Sequence, residues 1–136
     1  MTRILGLDYG TRRIGVAVSD PLGLTAGPLE VLDATAGDLD DRLRNLAADL
    51  GVELIVVGLP VGLDGREGPA ALDARRFADR VAAATGLPVE VYDERFSTVT
   101  AERVLLEAGL RRERRKQARD RVAAAVFLQA YLDGRR

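Results

Sequence analysis

The sequence predicts a mixed α/β fold: a five-stranded sheet in the order 3-2-1-4-5, its first strand in the middle and helices on its faces. Three observations point there. Residues 3–20 (RILGLDYGTRRIGVAVSD) hold two apolar, β-favouring runs separated by five residues that include Gly10, the pattern of a hairpin. Residues 54–58 (LIVVG) form a continuous apolar run, as expected of a strand covered on both faces. Between and after these runs lie stretches whose apolar residues recur at helical spacing. The hairpin sets strand two beside strand one, and the unbroken apolar character of strands one and four places both in the interior.

In the first strand, Ile4, Leu5 and Leu7 lead to Asp8, a carboxylate at the mouth of a core strand. An unpaired charge there is costly, so Asp8 must meet a metal, a cation or a set of hydrogen-bond donors. Strand two is Ile14 to Asp20. Residues 28–32, beginning at Pro28, read as an edge strand, where proline is tolerated. Asp38 opens a helix with Leu39, Leu43, Leu46, Ala47 and Leu50 on one face and Gly51 as C-cap. Beyond strand four, residues 60–69 (PVGLDGREGP) form the longest loop. A second helix runs from Pro69 to Thr85, with Ala71, Leu72, Phe77, Val81 and Ala84 inward and Gly86 ending it. Residues 87–94 (LPVEVYDE) make strand five. A third helix starts near Ser97 or Thr98 and closes at Gly109, and the basic stretch RRERRKQAR leads into a final helix over about residues 116–132. With no internal repeat and no long linker, residues 1–136 read as one domain.

Composition narrows the chemistry. The chain has no Cys and no His, which excludes thiol nucleophiles, imidazole bases, disulfides and Cys/His zinc sites together. Catalysis would have to rest on carboxylates, hydroxyls, amines or an ion with oxygen ligands. The N-terminus runs straight into a strand, without the basic and apolar regions of a signal peptide, and no apolar run is long enough to span a bilayer. A cytoplasmic location and no membrane partner are the expectations. Net charge is −1, but its distribution is uneven. Residues 1–90 carry 9 Arg against 14 acids, whereas residues 91–136 carry 10 Arg and 1 Lys against 7 acids. Such asymmetry suits a face that meets phosphate.

Three acids stand out. Asp8 ends the first strand, Glu94 (with Asp93 beside it) ends the fifth, and Asp120 shares a helix stripe with Lys116, Ala123, Ala124, Phe127 and Tyr131. If strands one, four and five are adjacent and parallel, Asp8 and Glu94 emerge at one sheet edge, where open α/β sheets place ligands. A last helix crossing that edge would bring Asp120 there too. Three carboxylates without His or Cys make an oxygen-rich site suited to Mg²⁺ or Mn²⁺. The structural alternative makes each acid a cap or an ion-pair partner: Asp120 with Lys116, Glu94 with an Arg, Asp8 capping the hairpin.

The stretches GLDYGTRRIGVAVSD (6–20), VVGLP (56–60), YDERFSTVTAE (92–102) and KQARDRVAAAVFLQAYL (116–132) together resemble the YqgF family, whose members are described as Holliday-junction-resolvase-like or pre-16S rRNA nucleases. The resemblance covers nearly the whole chain. It implies an RNase H-like fold and cytoplasmic nuclease activity on structured RNA, maturing the 5′ end of 16S rRNA. It also implies that Asp8, Glu94 and Asp120 are the catalytic, metal-binding acids. Resolvase and RNase H relatives carry a fourth carboxylate in the last helix; here no acid follows Asp120 until Asp133, leaving Asp93 or a phosphate oxygen to complete the shell. Two divalent ions about 3.5–4 Å apart can activate water, clamp the scissile phosphate and stabilise the leaving oxygen without any imidazole.

Lys116 is the only lysine against 19 arginines and sits four residues before Asp120, a place for a compact cation at the scissile phosphate. Arg95, Ser97 and Thr98, at a helix N-terminus, are candidate phosphate ligands, and Arg12 and Arg13 are candidate backbone contacts. Few aromatics leave little for base stacking, so recognition by shape and phosphate is expected, with pre-rRNA or structured DNA as partner and either a monomer or a homodimer as the active form. Two other readings compete. Asp8-Tyr9-Gly10-Thr11 resembles the phosphate hairpin of the actin, heat-shock chaperone and sugar-kinase superfamily, but the chain has no second such turn. A nucleic-acid-binding module that has lost cleavage, or a DNA junction resolvase, remains compatible with the same residues.

Overall fold

The computed structural model describes residues 3–61, 65–94 and 112–134, with side chains in the last segment from residue 122 on. Strands β1 (Arg3–Tyr9), β2 (Arg13–Ser19), β3 (Ala26–Asp33), β4 (Val52–Leu59) and β5 (Val89–Asp93) form a sheet in the order β3-β2-β1-β4-β5, as expected. β2 is antiparallel to β1 and β3, while β4 is parallel to β1 and β5. The parallel half is the half with helical crossovers: α1 (Leu39–Leu50) leads into β4 and α2 (Pro69–Thr85) leads to β5. The last helix, α3 (Arg112–Gly134), covers the opposite face.

Strand alternation divides the sheet's side chains between two cores. Leu5, Leu7, Ile14, Val16, Ile55 and Val57 point to α1 and α2, meeting Leu39, Leu43, Phe77 and Val81 in a wholly buried cluster. Ile4, Ala17 and Val56 point the other way, to Ala124, Phe127, Leu128 and Leu132 of α3. Helix α3 comes in close at Gly6, where a Cβ would stand 3.1 Å from Leu128 Cβ. It is also tied to the start of β3: the Gln129 side-chain carbonyl accepts the Ala26 N–H at 2.9 Å and its amide donates to the Leu24 carbonyl at 3.0 Å.

Several element limits differ from the sequence reading. Strand β3 is an edge strand as expected but runs from Ala26 to Asp33, and its register shifts between Val16 and Ala17 of β2, opposite Pro28, which has no N–H for the ladder. Helix α3 begins at Arg112, so most of the basic stretch is helical, in keeping with the helix propensity of Arg, Glu, Lys and Gln. In α2, Leu72 is not inward but 49% exposed, while Ala74 and Ala78 are buried. The buried stripe is 71, 74, 77, 78 and 81, and Leu72 lies about 100° off Ala71 around the helix. Position on the stripe, not hydrophobicity, decided which side faces the sheet. The helix expected between Ser97 and Gly109 lies outside the described residues.

Candidate active site

Three parallel strands, β1, β4 and β5, end at the same edge, and two of the three acids predicted for it, Asp8 and Glu94, stand there. In β1, Ile4, Gly6 and Asp8 share the α3-facing side; Asp8 pairs in register with Gly15 of β2, two residues before the turn. That turn is tight: the Gly10 N–H donates to the Arg13 carbonyl at 2.8 Å, and a Cβ on Gly10 would stand 2.7 Å from the same oxygen. Glycine at 10 therefore holds the hairpin closed directly behind Asp8. In β5, Tyr92 lies on the α3 side and Glu94 directly follows the strand.

Glu94 reaches Asp8. The two carboxyls are hydrogen-bonded, and the Glu94 carboxyl is pushed up to about 10, first by burial, then by that hydrogen bond and by the charges of Asp8 and Asp93. Two carboxylates this close cannot both stay ionised without a cation, so one proton bridges them at neutral pH. The donor set is all oxygen, half-buried and excess in negative charge, which fits a hard divalent cation in place of that proton. Among the described residues no third acid joins the pair. Asp93 alternates with Glu94 and so falls on the α2 side of the strand, beside Val91.

The remaining candidates divide by where they fall. Asp120 and Lys116 are in α3, four and eight residues before the buried Ala124, on the helix stripe that continues through Leu128. Their side chains lie outside the described residues. Leu128, on the same stripe, packs at Gly6. Arg12 is exposed in the β1–β2 turn, and its carbonyl accepts the Ala34 N–H at 2.9 Å; Arg13 opens β2, paired with Asp33. Both stand at the Asp8 end of the hairpin. Arg95, Ser97 and Thr98 lie outside the described residues. Sequence reading missed the part played by Gly58, which lies under Glu94: a Cβ there would fall 2.6 Å from Glu94 Cδ. A glycine inside a strand pattern was the available signal.

With that geometry in hand, comparison with known proteins is specific. A family model described as RuvX: Holliday junction resolvase matches residues 2–134. A protein of Symbiobacterium thermophilum named "Putative pre-16S rRNA nuclease" is 52% identical over 134 residues, spanning 98% of this chain and 93% of its own length. One of Moorella thermoacetica with the same name is also 52% identical, spanning 96% of this chain and 94% of its own. Among solved structures, the Thermus thermophilus RuvC in complex with Holliday junction substrate superposes with a TM-score of 0.61 at 21% identity, covering 99% of this chain and 96% of that one. That likeness establishes a shared, RNase H-like fold.

Proposed function

We propose that this chain, which belongs to the RuvX family of Holliday junction resolvases, is a divalent-metal nuclease that hydrolyses phosphodiester bonds in structured nucleic acid, with the 5′ end of pre-16S rRNA as its substrate. The observation that carries the reading is the Asp8–Glu94 carboxyl pair, drawn together at the edge where β1, β4 and β5 end. Relatives about half identical over nearly the whole chain are named for pre-16S rRNA, and this is why RNA is put before DNA.

In this reading Asp8, Glu94 and Asp120 hold the metal, and Asp93 adds negative charge beside it. Mg²⁺ or Mn²⁺ bound there would activate a water and offset the charge that builds on the scissile phosphate. Lys116 neutralises a phosphate oxygen next to the attacked phosphorus. Arg12 and Arg13 hold the backbone of the substrate at the hairpin end, and Arg95, Ser97 and Thr98 bind a neighbouring phosphate. The half-buried setting of Glu94 weakens the screening of these charges by bulk water. Residues 1–136 act as one domain in the cytoplasm.

The family's description points to four-way DNA junctions and the relatives' names to RNA, so the test must offer both. Purified protein is given a 5′-extended 16S rRNA precursor, single- and double-stranded RNA, and a four-way DNA junction, each with Mg²⁺, Mn²⁺ or chelator. Metal-dependent cleavage of the precursor near the mature 5′ end is the expected result. Cutting confined to the junction would transfer the assignment to DNA, and binding without cutting under all three conditions would make the chain a binding module. Asp120→Asn should end cleavage and reduce the melting-temperature gain from Mn²⁺, whereas Lys116→Ala should slow cleavage and leave that gain intact.

A further inference from the structure

Asp8 and Glu94 belong to β1 and β5, and β4 lies between those strands. Neighbouring strands are about 4.8 Å apart, so the two backbones stand about 10 Å apart. The carboxyls can meet only by reaching over β4. The position they cross is Gly58. Leu7 pairs with Val57, which sets Asp8 level with Gly58, and Gly58 pairs with Tyr92, two residues before Glu94. A Cβ on Gly58 would stand 2.6 Å from Glu94 Cδ, 2.9 Å from Cγ and closer still to Oε1, contacts no folded structure accommodates without moving the glutamate.

Backbone conformation does not explain the glycine. Gly58 is absent from the glycines with positive φ among the described residues, which are Gly23, Gly51, Gly65 and Gly86, and it sits in a strand that any residue could extend. Among the described residues helix packing does not explain it either: the three nearest atoms all belong to Glu94, in contrast to Gly6, whose three nearest are all in Leu128. We propose that Gly58 is a positioning residue of the carboxylate site, its missing side chain being the passage by which Glu94 crosses β4 to reach Asp8. For its consequence in metal binding this rests on the nuclease reading; the placement of Glu94 does not.

Melting temperatures of Gly58→Ala, Glu94→Ala, the double variant and Gly6→Ala, with and without Mn²⁺, test it. Gly58→Ala should lower the metal-free melting temperature by roughly 4–12 °C in the parent chain. It should cost less than about 2 °C where Glu94 is already alanine, because the colliding atoms are gone. Mn²⁺ should raise the melting temperature of the parent and of Gly6→Ala alike and leave Gly58→Ala nearly unmoved. An equal cost in both backgrounds, or a Gly58→Ala protein with the parent's full Mn²⁺ shift, overturns the proposal. Should Gly58→Ala alone fail to fold, a double variant that folds like Glu94→Ala supports it and one that also fails overturns it. A parent protein that shows no Mn²⁺ shift would sink the metal reading, and the metal-free cycle would still decide the role of Gly58.

Discussion

The two faces of the sheet are made from the same strands and built to opposite ends. On the α1/α2 face, alternate positions of β1, β2 and β4 read Leu5, Leu7, Ile14, Val16, Ile55 and Val57, every one fully buried. On the α3 face the intervening positions are Ile4, Gly6 and Asp8, then Gly15 and Ala17, then Val56 and Gly58. One face is large and branched throughout. The other thins from isoleucine to glycine and ends in carboxylates. Tyr9 and Phe77 mark the contrast at the very end of β1: Tyr9 stacks on Phe77 with ring centroids 4.5 Å apart, while the preceding residue, Asp8, meets Glu94 on the other side. Packing supplies stability on one face, and on the other it is surrendered where charge must be held. A sheet can do both because a one-residue step changes the face.

The largest break in that comparison should come from Asp8→Asn. Asparagine keeps the shape and removes the charge, so metal-dependent cleavage should fall by about 10³-fold or more, equivalent to at least about 4 kcal/mol of transition-state stabilisation. Single-turnover assays beside circular dichroism should show lost cleavage in a folded protein; undiminished cleavage would remove Asp8 from the mechanism. Its neighbour Leu7, fully buried on the other face, should behave in reverse. Leu7→Ala should cost about 2–5 kcal/mol in denaturant unfolding and leave the cleavage rate per folded molecule near the parent value. Loss of cleavage in well-folded Leu7→Ala would show that the faces are not separable.

A smaller effect lies in pH. Glu94 is pushed up to about 10 from an ordinary 4.5, so across that interval the fold holds a proton that the unfolded chain has released. The metal-free protein should therefore be most stable at the acid end and lose stability as pH rises toward 10. The slope should be no steeper than that of one proton, and Glu94→Gln should flatten it. Melts between pH 5 and pH 9 in chelator decide this, and a rising slope would contradict the shared proton. Smallest of all should be the surface. Arg75 and Glu67 form an ion pair with side chains 46% and 36% exposed, which solvent screens, so Glu67→Gln should leave both melting temperature and cleavage unchanged within error.

The sequence by itself determined the described elements, the strand order and the two acids at the strand ends. Hairpin spacing at 3–20, the unbroken apolar run at 54–58 and glycine at the ends of α1 and α2 are local signals, and local signals survive without knowledge of the rest of the chain. Tertiary structure decided what local signals do not encode. Leu72 looks like core by hydrophobicity and is exposed, because the rotation of α2 is set by where Ala71, Ala74 and Ala78 let it approach the sheet. Gly58 is flagged in the sequence only as a glycine within a strand, and its purpose shows once β4 is seen to separate β1 from β5. Asp8 and Glu94 are 86 positions apart in the chain, and only the sheet makes them partners. Burial together, with a strand's width of missing side chain between them, turns two unremarkable carboxyls into a pair that must share a proton or take a cation.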